Sequence, residues 1–222
     1  MKLRNMKVLI IGAHGKIGQI VARKMKASPQ FNPTAFIRKN EQKTVFDSMQ
    51  VPAQIASLES SVDEIAKTME GFDAIVFTAG SGGKTGFNKT LEIDLDGAVK
   101  SMIAAEQVGI KRFVMVSAYL ADDRSGWEAS GIKPYYIAKH FADRELKRTS
   151  LDYTILRPVR LTDEDGTGKI TANAKPEAIQ KTIPREDVAT AILEVLKYPE
   201  TIGKIMVMST GGTPIKEAVL SL

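Results

Sequence analysis

Ser117, Tyr135 and Lys139 are residues of the types that handle a proton at a polar bond. Tyr135 and Lys139 stand four apart, which on a helix puts them on one face about one turn from each other. A tyrosine titrates near about 10 and is a poor acid or base at neutral pH. A neighbouring ammonium favours its phenolate and lowers that value. Such a phenol can pass its proton to a carbonyl oxygen. A serine hydroxyl nearby can hydrogen-bond the same oxygen and stabilise its developing charge. The four-residue spacing alone is not specific, because Tyr136 has His140 at its own i+4 position. The position of Tyr135, directly after a strand and its loop, singles it out. Ser117 taken alone reads equally well as a strand-end residue that satisfies a loop.

What must position these groups begins at the other end of the chain. An apolar run, Val8–Ile11, breaks into Gly12-Ala13-His14-Gly15-Lys16-Ile17-Gly18, and an amphipathic segment follows to Ala27. Strand, glycine turn, helix is the opening of a dinucleotide-binding βαβ unit. Gly12 permits the tight turn, Gly15 lets backbone N–H groups approach a pyrophosphate, and Gly18 lets the helix pack close to the strand. The helix N-terminus then faces the phosphates with its partial positive charge. The spacing is Gly-x-x-Gly-x-x-Gly rather than Gly-x-Gly-x-x-Gly, so its strand and helix context carries the reading. A dinucleotide here extends the chemistry of Tyr135: an oxidised nicotinamide would also favour the phenolate, and hydride transfer would accompany the proton.

The second strand, Thr34–Arg38, ends in Arg38-Lys39 with no acid before Glu41. A basic residue there accommodates a 2′-phosphate, whereas an acid would bind the free ribose hydroxyl, so NADP is expected and NAD is the alternative. Segment 52–57 reads as the third strand, 62–69 as a helix capped near Ser60 or Ser61, and Ala74–Thr78 as a buried fourth strand. It runs into Ala79-Gly80-Ser-Gly-Gly83, a second glycine turn that could border the cofactor. A helix over 91–108, ended by Gly109, precedes the fifth strand, 111–117. Residues 118–134 are polar and read as a long loop, 135–149 as a helix, and 152–157 as a sixth strand stopped by Pro158. Residues 161–182 read as irregular with a short strand at 169–172, followed by a helix over 184–196, a strand over 204–208 and a short closing helix. Strands alternating with helices predict an α/β fold, a Rossmann-type doubly wound parallel sheet with helices on both faces. Residues 1–222 are expected to form one domain, with a small C-terminal substrate lobe from about 160–182 and 209–222. The 118–134 and 161–182 segments are expected to form a mobile lid.

The bulk numbers exclude several classes. There are 222 residues, enough to bury a core without staples, and no cysteines. Thiol catalysis, disulfides and cysteine metal sites are excluded, and a reducing cytoplasm is expected. Only His14 and His140 supply imidazoles, so no metal site is expected. The net charge of +5 is spread along the chain, so no nucleic-acid partner is expected. Lys2, Arg4 and Lys7 precede an apolar run too short for a signal segment, and no run approaches membrane-spanning length. The expected partner is a small-molecule substrate, with the chain a monomer or homodimer.

Taken together, the motifs resemble the short-chain dehydrogenase/reductase superfamily, in particular its compact atypical branch of NAD(P)-binding, epimerase/dehydratase-like proteins. The matching stretches are Gly12–Gly18, Ala79-Gly80-Ser-Gly, Ile93-Asp-Leu-Asp-Gly97, Lys111–Ser117, Tyr135-Tyr-Ile-Ala-Lys139, Asp152–Pro158 and Arg185-Glu-Asp-Val-Ala189. The resemblance implies pyrophosphate at residues 12–18, a 2′-phosphate at Arg38, and nicotinamide ribose at Tyr135 and Lys139. It also implies the nicotinamide ring near Pro158 and Val159, and a cofactor border at Thr78, Ala79 and Gly80. Two departures stand out. The third strand runs into Ser57-Leu58 where many relatives carry an adenine-binding Asp, and Val159 follows Pro158 where glycine is frequent. The expected function is an NADP-dependent oxidoreductase of a small carbonyl-, quinone- or flavin-like substrate, bound among residues 81–87, 118–134 and 160–182. The alternatives are a non-catalytic NADP(H) sensor or scaffold and, more weakly, an NAD-dependent epimerase or dehydratase.

Overall fold

The computed structural model describes residues 5–83 and 85–222. Lys2 and Arg4 of the basic N-terminal stretch, and Lys84 of the 81–87 segment, lie outside the described residues. The chain alternates strand and helix through β1 (Met6–Ile11), α1 (Lys16–Lys26), β2 (Phe31–Ile37), α2 (Lys43–Ser48), β3 (Ala53–Ile55), α3 (Val62–Met69) and β4 (Ala74–Phe77). There follow α4 (Gly86–Lys89), a π-helical turn at Thr90–Asp96, α5 (Gly97–Gln107), β5 (Arg112–Val116), α6 (Arg124–Ala129), α7 (Lys133–Leu146) and β6 (Asp152–Pro158). The remainder is β7 (Arg160–Thr162), β8 (Lys169–Ala172), β9 (Thr182–Pro184), α8 (Arg185–Lys197), β10 (Lys204–Thr210), β11 (Thr213–Pro214) and α9 (Ile215–Leu220).

The main sheet has the order β11-β8-β10-β6-β5-β4-β1-β2-β3. From β3 to β10 every pairing is parallel, and β8 lies antiparallel to both β10 and β11. This is the doubly wound Rossmann-like arrangement expected from the alternation. β1 and β4 are neighbours, so the strand order reverses between β1 and β4, and a crevice opens at their carboxyl ends. Both faces are buried, which is why β4 is apolar at every position. One face carries Val21 and Met25 of α1 with Val188 and Ile192 of α8. The other carries Ile65 of α3, Met102 of α5 and Leu146 of α7.

β2 begins at Phe31, earlier than Pro33 led us to expect. β3 pairs with β2 only from Ala35, so Pro33 sits where the strand has a neighbour on one side alone. The 118–134 segment differs more. It contains α6, capped by Asp123, whose Oδ1 accepts the N–H groups of Ser125 and Gly126. Trp127 is buried and donates its indole N–H to the Leu120 carbonyl at 2.6 Å. One aromatic residue therefore anchors a stretch whose polar composition reads as a loose loop. The expected short strand at 169–172 is β8, and it joins the edge of the main sheet together with β11. Among the described residues no helix is long and apolar enough to cross a membrane.

Candidate active site

The glycine turn leaves β1 at Gly12, whose φ of +80° suits glycine. A Cβ at Gly12 would lie 2.5 Å from the Ala79 nitrogen, so the loops after β1 and β4 are in backbone contact. A Cβ at Gly18 would lie 2.5 Å from the Gly12 carbonyl oxygen, so the close approach expected between helix and strand is made between the helix and the turn that leaves the strand. Gly15 starts α1 with no side-chain cap, and the first turn carries no acid. The N–H groups at that end are thus left facing outwards, where an anion is favoured.

Two cavities flank Gly15, of about 460 and about 270 Å³. They share a wall made of Gly15, Thr78, Ala79, Gly80 and Ser81. The smaller is lined by His14, Arg38, Gln42, Ser57 and Leu58. Gln42 Oε1 accepts the backbone N–H groups of Arg38 and Lys39, at 2.9 and 3.1 Å, which fixes the end of β2. Arg38 faces this cavity, whereas Lys39 is exposed and does not line it. Ala13 and Gly18 are packed behind the turn, and Lys16 and Ile17 line the larger cavity.

The larger cavity brings together Ser117 from the end of β5, Tyr135 and Lys139 from α7, and Asp94 from the π-helical turn. Tyr136 lines neither cavity; its ring meets that of Tyr135 edge-on, with centroids 5.3 Å apart. Lys139 Nζ lies 5.6 Å from the Tyr135 ring centre and 3.1 Å from Asp94 Oδ1. Asp94 also accepts the Ser81 N–H at 2.8 Å, tying the turn after β4 to the same carboxylate. Burial opposes the charge on Lys139, but Asp94 and its other anionic neighbours more than compensate and hold the ammonium above its ordinary value. Tyr135 differs from the sequence expectation. Burial pushes its phenol up, and the downward pull of Lys139 does not overcome it, partly because Asp94 stands beside that lysine.

Ser117 is buried, lines the cavity and has no aligned hydrogen-bond partner for its Oγ among the described residues, although the Asp143 carboxyl is close by. Beneath it Arg157 holds Asp143 through Nε and Nη2, both at 2.8 Å, and reaches Asp122 through Nη1 at 2.7 Å. Pro158 and Val159 sit behind the cavity rather than on it. The Pro158 carbonyl accepts from Tyr119, and the Val159 N–H donates to Met208. Leu161 and Arg185 form the wall on that side. Ser57 and Leu58 line the smaller cavity, while a Cβ on Gly97 would press on Leu58.

This groove suits a dinucleotide. It carries uncapped helix N–H groups and a side-chain-free Gly15 surface at its middle, a guanidinium at one end and a buried hydroxyl at the other. Asp94 and Gln42 escaped the sequence reading. The signal for Asp94 was a charged residue inside the quoted Ile93-Asp-Leu-Asp-Gly97 stretch; Gln42 carries no pattern that would mark it. Among the described residues no cluster of three or more potential ligands could hold a metal ion.

Residues 12–199 match the family model described as NAD(P)H-binding. The uncharacterized sugar epimerase YhfK of Bacillus subtilis is 45% identical over 217 residues, covering 98% of this chain and 100% of that protein. A solved structure from Bacillus halodurans is 39% identical with a TM-score of 0.90, over 98% of this chain and 100% of that one. The oxidoreductase ylbE from Lactococcus lactis is 37% identical with a TM-score of 0.85, over 98% and 96% of the two chains.

Proposed function

The chain belongs to the NAD(P)H-binding family, and on that premise we propose that it is an NADP-dependent oxidoreductase acting on a small carbonyl-, quinone- or flavin-like substrate. One observation carries the reading: Ser117, Tyr135 and Lys139 share a cavity wall that continues past Gly15 to Arg38. Gly12–Gly18 and the N-terminus of α1 would hold the pyrophosphate, Thr78–Gly80 would border it, and Arg38 would take the 2′-phosphate. The bound nicotinamide supplies or accepts the hydride.

The chain's own residues handle the proton and the charge. Tyr135 carries its phenolic proton at neutral pH, and burial raises its pKa further, so it acts as the acid in the reducing direction. Ser117 offers its buried hydroxyl, which has the Asp143 carboxyl close by, to the same substrate oxygen. Lys139 stays an ammonium beside the tyrosine ring and favours the phenolate that remains after transfer. Asp94 orients Lys139 and restrains its effect.

A second reading has a specific basis, since a relative with 45% identity is named as a sugar epimerase. The same Ser-Tyr-Lys set would then serve a hydride that returns to its own substrate. The deciding experiment offers the purified protein NADPH with a panel of carbonyls, quinones and flavins, and separately NAD⁺ or NADP⁺ with sugar nucleotides. Stoichiometric NADPH oxidation that disappears in Tyr135→Phe supports the oxidoreductase. Sugar-nucleotide isomerisation without net cofactor consumption supports the epimerase, and saturable NADP(H) binding with neither activity supports a sensor.

A further inference from the structure

The Arg185-Glu-Asp-Val-Ala189 stretch has no part in the chemistry above, yet Arg185 lines the larger cavity together with Lys16. The two cations come from different elements: Lys16 opens α1 and Arg185 opens α8, and both helices pack on the same face of the sheet. They converge on one carboxylate, that of Asp163 in the turn after β7. Arg185 Nη1 lies 2.6 Å from Asp163 Oδ1, and Lys16 pairs with Oδ2. Each carboxylate oxygen thus takes one cation, so this pair already has the spacing to grip an oxyanion from two sides.

The grip on Asp163 is easily exchanged. The Asp163 side chain is 59% exposed and that of Lys16 65%, and ion pairs this wet contribute little. Lys16 pulls the Asp163 carboxyl below its ordinary range, so it is ionised and competes as an anion throughout the neutral region. Next to Lys16 stand the uncapped N–H groups of the first turn of α1. The three features together favour an anion where Lys16 and Arg185 meet the cavity wall, and Asp163 reaches the two cations from a neighbouring cavity that shares Arg185.

We propose that Lys16 and Arg185 form an anion clamp on this cavity, that Asp163 occupies it as an internal competitor, and that an oxyanion of the cavity's ligand displaces Asp163. The oxyanion is either the pyrophosphate of the dinucleotide or a carboxylate on the second substrate. The inference rests on the dinucleotide reading above and assigns Arg185 and Asp163 roles that reading lacks.

Binding measurements separate the possibilities without relying on turnover. Inorganic pyrophosphate and NADP⁺ are titrated by calorimetry into the wild type, Asp163→Asn, Arg185→Gln and Asp165→Asn. With NADP⁺ saturating, 4-formylbenzoate and its uncharged methyl ester are compared by ligand-detected NMR. Freeing the clamp in Asp163→Asn should tighten its anion about two- to tenfold. Arg185→Gln should weaken it about fivefold or more. Asp165→Asn makes the same charge change two residues further along the same exposed connection and should do neither. If NADP⁺ and pyrophosphate follow this pattern, the clamp grips the dinucleotide. If only 4-formylbenzoate follows it and the ester does not, the clamp grips the second ligand. Failure of Asp163→Asn to tighten any of these anions, or an equal effect in Asp165→Asn, overturns the proposal. A wild type that binds pyrophosphate with this pattern but neither NADP⁺ nor NAD⁺ would refute the dinucleotide reading and leave the clamp standing.

Discussion

Asp94 and Lys139 face each other at 3.1 Å with side chains only 1% and 5% exposed. A lysine that served only to depress the tyrosine would do best with no anion at its back. Here the ammonium is shared between Tyr135 on one side and Asp94 on the other. The carboxylate keeps the buried lysine charged and at the same time weakens its pull on the phenol. The site is therefore set towards a protonated Tyr135, the form that can donate a proton.

That arrangement has a pH signature. Tyr135 is held above its ordinary value, so reduction should run level through neutral pH and decline only as pH rises through the phenol's pKa. Oxidation, which needs the phenolate, should rise over the same interval. Asp94→Asn removes an anion that raises the tyrosine, so both inflections should move to lower pH. Rate profiles in both directions check this, and an unmoved inflection would separate Asp94 from the proton-handling group.

Tyr135→Phe removes one hydroxyl from the cavity wall, and turnover should fall by about a hundredfold or more while cofactor affinity is kept. Tyr136→Phe should leave turnover near the wild-type value, since that ring lies off the cavity. Steady-state kinetics beside a cofactor titration separates the two. The reverse ranking would mean that α7 presents its other tyrosine to the substrate.

Arg38→Glu should weaken NADP by about tenfold or more and leave NAD much less affected, because it sets a carboxylate against the 2′-phosphate. Gln42 still fixes the strand end through the backbone of residues 38 and 39, so the fold should be kept. Parallel titrations of the two cofactors read the ratio, and equal weakening of both would remove Arg38 from the discrimination.

Arg157→Met leaves Asp143 buried without its cation and should cost about 3–5 kcal/mol at neutral pH. Burial holds the folded-state pKa of Asp143 above the unfolded value even with Arg157 present. A carboxyl shifted that way contributes stability below the unfolded pKa and loses it as pH rises through the folded one. The deficit of the variant should accordingly shrink as pH falls and Asp143 becomes neutral. Urea unfolding of both proteins across the acid range tests this; a deficit independent of pH would assign the loss to packing instead.

The strand–helix alternation was legible because the central strands β1 and β4 carry apolar runs and helices such as α1 and α3 have a dry stripe. The span of α3 was legible, with its cap left between Ser60 and Ser61; the structure puts it at Ser61, which forms a capping box with Glu64. The meeting of Ser117, Tyr135 and Lys139 in one cavity also followed from their positions after β5 and on α7. Other features depended on contacts between distant segments. Trp127 anchors α6 by burial against a surface that its polar neighbours do not reveal. β8 runs antiparallel because it pairs with β10 and β11, which come later in the chain. The direction of the shift on Tyr135 depends on Asp94, and a residue 41 positions earlier shows no sequence sign that it will stand behind Lys139.

The contact between Gly12 and the Ala79 backbone also bears on the order in which the molecule is made. β1 and the glycine turn leave the ribosome before β4, and the surface against which the turn packs is synthesised some sixty-seven residues later. Until β4 docks beside β1, the loop has its sequence and lacks the wall that shapes it. Closure over that separation comes late in folding, as contacts between distant segments generally do. A nascent chain ending before Ala74 would thus carry every glycine of the motif and be unable to grip a nucleotide, which makes dinucleotide capture a reporter of completed sheet assembly rather than a property of the first βαβ unit.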